Sequence, residues 1–187
     1  MSKYFFSVIV SLFFCCCSIG QSKFLAPDKS PLDISYCPNN YPILKIQDKT
    51  TGNPIARVIY SRPNKNNRVI FGDLIEYNKV WRMGANEATE IEFFQNVKIY
   101  NHKIKKGRYT LYCIPFANKW TIILNSNLDV WGSFKYNEKN DLFRVDAPIQ
   151  KQTETIESLS FLFEKTDAGY DMKVGWDDVL VSIPITL

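Results

Sequence analysis

Residues 107–124 read GRYTLYCIPFANKWTIIL. In the first half, Tyr109, Leu111 and Cys113 alternate along one face of an extended segment that stops at Pro115, whose nitrogen has no hydrogen to donate to a sheet ladder. In the second half, Trp120 to Leu124 is apolar at nearly every position, which is the pattern of a strand covered on both faces and therefore central in its sheet. Two neighbouring strands of this kind point to a β protein.

The rest of the chain from Leu32 onward repeats the theme. Short alternating or apolar runs are separated by clusters of Asn, Asp, Gly, Pro and Lys, and no helical period persists. Arg57–Tyr60 follows the turn signal Thr51-Gly52-Asn53-Pro54. Thr89–Phe94 sets Ile91 and Phe93 against Glu90 and Glu92, so one face should be wet. Val97–Tyr100 and Lys103–Lys105 flank Asn101-His102 as a tight hairpin. Leu142–Val145, Leu159–Phe163, Tyr170–Trp176 and Val179–Ile185 bring the total to about ten strands. Aromatic residues are 14% of the chain, enough to fill the space between two facing layers. The expected fold is an all-β, two-sheet antiparallel sandwich resembling a jelly roll.

Between Arg62 and Thr89 the alternation lapses. This long connection carries Phe71, Leu74, Ile75, Val80 and Trp81, which argue for an ordered cover packed against the strands.

The N-terminus has another character. Lys3 precedes an apolar run from Tyr4 to Cys17, and Ser18-Ile19-Gly20 supplies small residues, so residues 1–20 read as a signal peptide cleaved before Gln21. The run is short for a membrane span. Residues 21–187 then form one domain, exported to the periplasm or the medium. Lipidation at Cys15, Cys16 or Cys17 is disfavoured by bulky Leu12-Phe13-Phe14 ahead of the first cysteine. Within the domain only Cys37 and Cys113 remain; an oxidising compartment permits a disulfide between them, while the apolar face of Cys113 suits a buried free thiol.

Composition excludes several chemistries. The net charge is only +4 with scattered lysines. Lys103, Lys105 and Lys106 make the densest group, read as a solvated hairpin end, and no basic stripe interleaved with aromatics suggests nucleic acid. One histidine, His102, in a turn supports neither a triad nor a metal site. No glycine-rich phosphate loop and no acidic calcium loop occur, so neither cofactor nor metal is expected.

One cluster draws attention. Arg62, Arg68, Trp81, Arg82, Asn86 and Glu87 combine guanidinium forks suited to carboxylates, an amide, a carboxylate and a flat indole on which a sugar ring could stack. They form the candidate ligand-binding set, for a glycan, a small polar ligand or an envelope protein. The same residues have a scaffolding use: Arg82 and Glu87 bracing the turn at Gly84, and Arg62 or Arg68 satisfying loop carbonyls. Glu87 with Glu90, Glu92 or Asp141 would offer the carboxylate pair of a glycan hydrolase, although nothing selects a pair. A third reading is a structural subunit of the envelope, docked through strand edges or an apolar patch.

These stretches also carry a resemblance. Tyr60-Ser61-Arg62-Pro63, Arg68-Val69-Ile70-Phe71-Gly72, Val80-Trp81-Arg82-Met83-Gly84-Ala85-Asn86-Glu87-Ala88-Thr89, Gly107-Arg108-Tyr109-Thr110-Leu111, Ile114-Pro115, Trp120–Asn125 and Trp131-Gly132 resemble the bacterial exported proteins grouped as domain of unknown function family 2911. The resemblance implies an exported β domain and carries over no reaction, ligand or catalytic residue. Met83 departs from the Thr common in relatives, and Asn66-Asn67 from a usual Lys-Gly pair.

Overall fold

The computed structural model describes residues 24–187. The signal-peptide reading of residues 1–20 and the three cysteines Cys15, Cys16 and Cys17 lie outside them. Nine strands form: β1 Leu32–Cys37, β2 Ala56–Ser61, β3 Glu90–Phe93, β4 Val97–Ile99, β5 His102–Ile104, β6 Gly107–Pro115, β7 Lys119–Asn125, β8 Asp141–Thr166 and β9 Gly169–Thr186. A six-residue helix, α1 (Tyr41–Ile46), with Pro42 in its first turn, follows β1. All-β and antiparallel are therefore correct.

Every strand joins one ladder, in the order β1-β2-β3-β6-β7-β8-β9-β4-β5. The expected division into two sheets is not a feature of this pairing. The reason is the length of β8: residues up to Pro148 pair with β7, and Ile149 to Thr166 pair with β9, so one 26-residue strand serves both halves. Leu142–Val145 and Leu159–Phe163, read as separate strands, are its two parts, and the two runs after Tyr170 likewise merge into β9. Polar residues between the apolar runs made each look broken.

Side chains from both halves meet in one core. Val58, Ile91, Leu111 and Ile122 from the first share it with Phe161, Val174, Val181 and Ile183 from the second. The free edge of β1 is tied to β8 by side chains: Ser35 Oγ donates to Phe161 O (2.6 Å) and Phe163 N donates to Asn39 Oδ1 (3.0 Å). Cys37 and Cys113 are both buried and free.

The central position of β7 is borne out. Ile122 and Ile123, on opposite faces, are both fully buried. Ile122 points into the main core; Ile123 joins Ala88 and Tyr112 in a second cluster, flanked by Val80, Val130 and Tyr136. The cover contributes to both clusters, with Val80 and Ala88 over the outer face of β6 and β7 and its larger side chains in the main core. Ile70, Trp81 and Met83 are buried in it, whereas Leu74, expected to pack down, is 44% exposed. At its junction with β6, Trp81 N donates to Cys113 O (2.8 Å) and Cys113 N donates to Trp81 O (3.0 Å).

Candidate functional site

The structure separates the six residues that the sequence grouped. Arg62 donates to Asp33 Oδ2 (2.9 Å) and Ser160 Oγ (3.0 Å), clamping β1 to β8. Arg68 donates to the carbonyls of Lys65 (2.9 Å) and Asn64, so it braces its own loop. Beside it Asn66 and Asn67 both have positive φ (50° and 59°). Asparagine tolerates that region better than most residues, so Asn67 does what the usual glycine would.

Trp81 requires a correction as a stacking platform. It is 4% exposed and its indole NH donates to Gly84 O (3.2 Å). Its ring packs against Phe71, Trp120 and Trp176, with centroids 6.0, 5.7 and 6.0 Å away. Arg82 is half-buried; among the described residues its Nε has no hydrogen-bond partner, and burial pulls the guanidinium below its ordinary pKa. No Arg82–Glu87 ion pair forms among the described residues. The turn is held instead by Thr89 Oγ1 donating to Met83 O (2.8 Å) and by the close approach of Gly84 to the Ser61 backbone.

Asn86 and Glu87 remain at the surface, on the outer face. Asn86, at φ 56°, donates through Nδ2 to Asp28 Oδ1 (3.0 Å), and its carbonyl accepts from Gly132 N (3.0 Å). Ala88 N donates to Val130 O (3.0 Å), so residues 86–88 and 130–132 form a short ribbon in which Glu87 lies opposite Trp131. Directly opposed side chains on an antiparallel pair share a face. Glu87 is exposed and Trp131 is 61% exposed. Gly132 allows this turn with φ 66°, and a Cβ there would run into the Phe134 ring at 2.8 Å.

This ribbon borders a groove. Val80, Ala88, Val130 and Tyr136 cover Tyr112 and Ile123 on the outer face of β6 and β7, and beside them, over β2 and β3, two adjoining cavities open, about 260 and 240 Å³ in volume. Leu32, Glu87, Ala88 and Val130 line the first, Arg57, Glu92 and Arg108 the second, and Ile59, Glu90 and Asp129 both. The floor is an alternating charge row, because Arg57 pairs across the ladder with Glu92 and Glu92 with Arg108. Arg57 binds Glu92 at 2.7 Å; Arg108 binds Glu90 at 2.8 Å and also Asp129. Asp129 N donates to Glu90 Oε1 (2.8 Å). Hydrogen bonding to Asp129 and the charge of Glu90 hold the Arg108 guanidinium above its usual value. Glu90 and Glu92, expected simply to meet water, are thus each paired with an arginine.

The loop from Ser126 to Asn137 is anchored at its far end. Asp141, 7% exposed at its side chain, accepts from Tyr136 Oη (2.6 Å), Arg144 Nε (2.6 Å) and Asn125 Nδ2 (2.7 Å). Its carboxylate is a structural hub, with no part in a pair with Glu87.

A family model described as "Protein of unknown function (DUF2911)" matches residues 42–185. The chain belongs to this family. No curated protein and no solved structure matches it. In this DUF2911 chain, only Glu87 of the six predicted residues lines the groove. Trp131, Arg108 and Asp129 had no functional reading from sequence, and Glu90 had one only as a possible carboxylate partner of Glu87. The available signal was that Gly107-Arg108 and Trp131-Gly132 stand among the family-like blocks, far from the cluster that drew attention. Among the described residues no helix is long and apolar enough to cross a membrane.

Proposed function

We propose that this DUF2911 protein is an exported, periplasmic or secreted, non-catalytic binding module that takes a glycan in the groove beside β2 and β3. The observation that carries the reading is the Glu87–Trp131 pair at the lip. An exposed indole gives the apolar face of a sugar ring a flat partner, and a carboxylate without an ion pair among the described residues accepts hydrogen bonds from its hydroxyls. Arg108, Glu90 and Asp129 below supply charged donors and acceptors already oriented by one another. The hydrolase reading with Glu87 is weaker: Glu90 and Asp129, the carboxylates sharing its cavity, are both already paired with Arg108.

The test is titration of purified protein against a glycan panel. Trp131→Ala should weaken the best ligand about three- to tenfold, the range of one aromatic contact, while the protein stays folded. Glu87→Gln should weaken it without revealing loss of any hydrolysis. Absence of binding across the panel, or binding indifferent to Trp131→Ala, would overturn the proposal.

A further inference from the structure

At the far edge of the ladder, the β4–β5 hairpin presents a second surface unrelated to the groove. Val97, Ile99 and Ile104 turn into the core. Lys98 and Lys103 face each other directly across the pair, and on its other side Lys98 is opposite Thr186 of β9. Lys105 continues the row of Lys103 two residues on, and Lys106 follows in the turn. Like charges placed opposite one another destabilise a ladder unless something neutralises them. Among the described residues none of these four lysines has a carboxylate within ion-pair distance, although lysines elsewhere do, as in Lys119–Asp146 and Lys173–Glu164.

Three of these lysines line a hollow. A cavity of about 430 Å³ is lined by Asn96, Lys98, Lys103 and Lys105 at its polar side and by Val97, Ile104 and Leu187 at its apolar side, with Leu187 65% exposed. Lysines on a three-residue edge strand discourage another strand from adding to it, which argues against an extended peptide as the occupant. They do not discourage a charged headgroup with an apolar tail. Three lysines lining this hollow, with Lys106 next in the chain, match the charge and polarity of an anionic lipid surface, where each cation near the headgroups contributes to binding.

We infer that the β4–β5 hairpin docks on bilayers through phosphate-bearing anionic lipid headgroups. The experiment is co-sedimentation of the full chain with vesicles of phosphatidylcholine alone and of phosphatidylcholine with phosphatidylglycerol. The neutral vesicles register whatever the apolar N-terminal residues contribute. Binding should rise with the anionic lipid and fall with added salt. Lys98→Gln/Lys103→Gln, both exposed and expected to fold, should weaken the anionic component about 30-fold. Lys45→Gln/Lys49→Gln, an equal charge change elsewhere, should leave it within a factor of two or three. Three results overturn the inference: equal binding to both vesicles, equal loss in the two double variants, or full displacement by millimolar inorganic phosphate, which would make the site one for a free anion.

Discussion

Gly169 closes the turn between the two longest strands, where Thr166 pairs with Gly169. It has φ 153°, and an added Cβ would collide with the carbonyl oxygen of Ile185 in its own strand. A backbone atom cannot swing aside as a side-chain tip can, so Gly169→Ala should destabilise the protein by about 1–3 kcal/mol, read as a lower urea midpoint with unchanged slope. Cys37 acts at the same scale through its proton. Burial pushes its thiol up to about 12, and burial together with the Asp141 contact does the same for Tyr136. An unfolded thiol ionises near 8.5 and an unfolded phenol near 10. Above those values the unfolded chain has released protons that the native state still holds. Stability is therefore intact below about pH 8 and falls toward pH 12, by up to about 1.4 kcal/mol per pH unit for Cys37 in its window and by less for Tyr136, which solvent screens. Urea midpoints measured from pH 7 to 11 should fall only on the alkaline side, and Cys37→Ala should make the fall shallower without moving its onset, which the buried Cys113 thiol, also raised by burial, maintains; a flat profile contradicts the assigned burial.

Among the elements, the loop from Ser126 to Asn137 has the clearest division of labour. Its middle holds Trp131 against Glu87, and its end is pinned by the Asp141 hub. Removing the carboxylate takes one acceptor from each of Tyr136 Oη, Asn125 Nδ2 and Arg144 Nε. Asp141→Ala should cost about 1.5–3 kcal/mol, the range for hydrogen bonds to a charged group. It should also raise amide exchange across 126–137 and weaken any ligand that rests on Trp131. Faster exchange confined to β8 would show that the hub serves the strand and not the loop. The cover from residue 63 to 88 behaves differently. Its connections run through backbone pairing to Cys113 and Glu157 and through buried Ile70, Trp81 and Met83. It should therefore resist proteolysis as well as the strands do.

For the molecule as a whole, three of the four tryptophans meet at the centre: Trp81 from the cover, Trp120 from β7 and Trp176 from β9. Because they join all the parts, Trp176→Ala should cost about 3–5 kcal/mol and loosen cover and strands together in one transition. Trp131 alone is exposed. Iodide should quench a red-shifted fraction of the fluorescence that Trp131→Phe removes; quenching lost in Trp81→Phe instead would mean that the cover opens. Much of this architecture was legible beforehand. Residues 109–124 announced a two-faced central sheet, the Thr89–Phe94 alternation set the inward face of β3, and the apolar residues of 63–88 announced a packed cover, because strand periodicity and hydrophobicity are local properties. The candidate site was less legible. Chemistry-bearing types crowded between Arg62 and Glu87 looked like one site, yet neighbours in an irregular segment can point to different faces, and here Trp81 turned inward while Arg62 and Arg68 reached for carbonyls and β8. The strand-rich class, the antiparallel habit and the ordered cover were settled by the amino acids alone, since each follows from the pattern of apolar burial along the chain. Tertiary structure alone decided that β8 spans both halves, that Trp131 stands beside Glu87, and that Lys98 opposes Lys103, because pairing register brings together residues whose separation in sequence carries no trace of it.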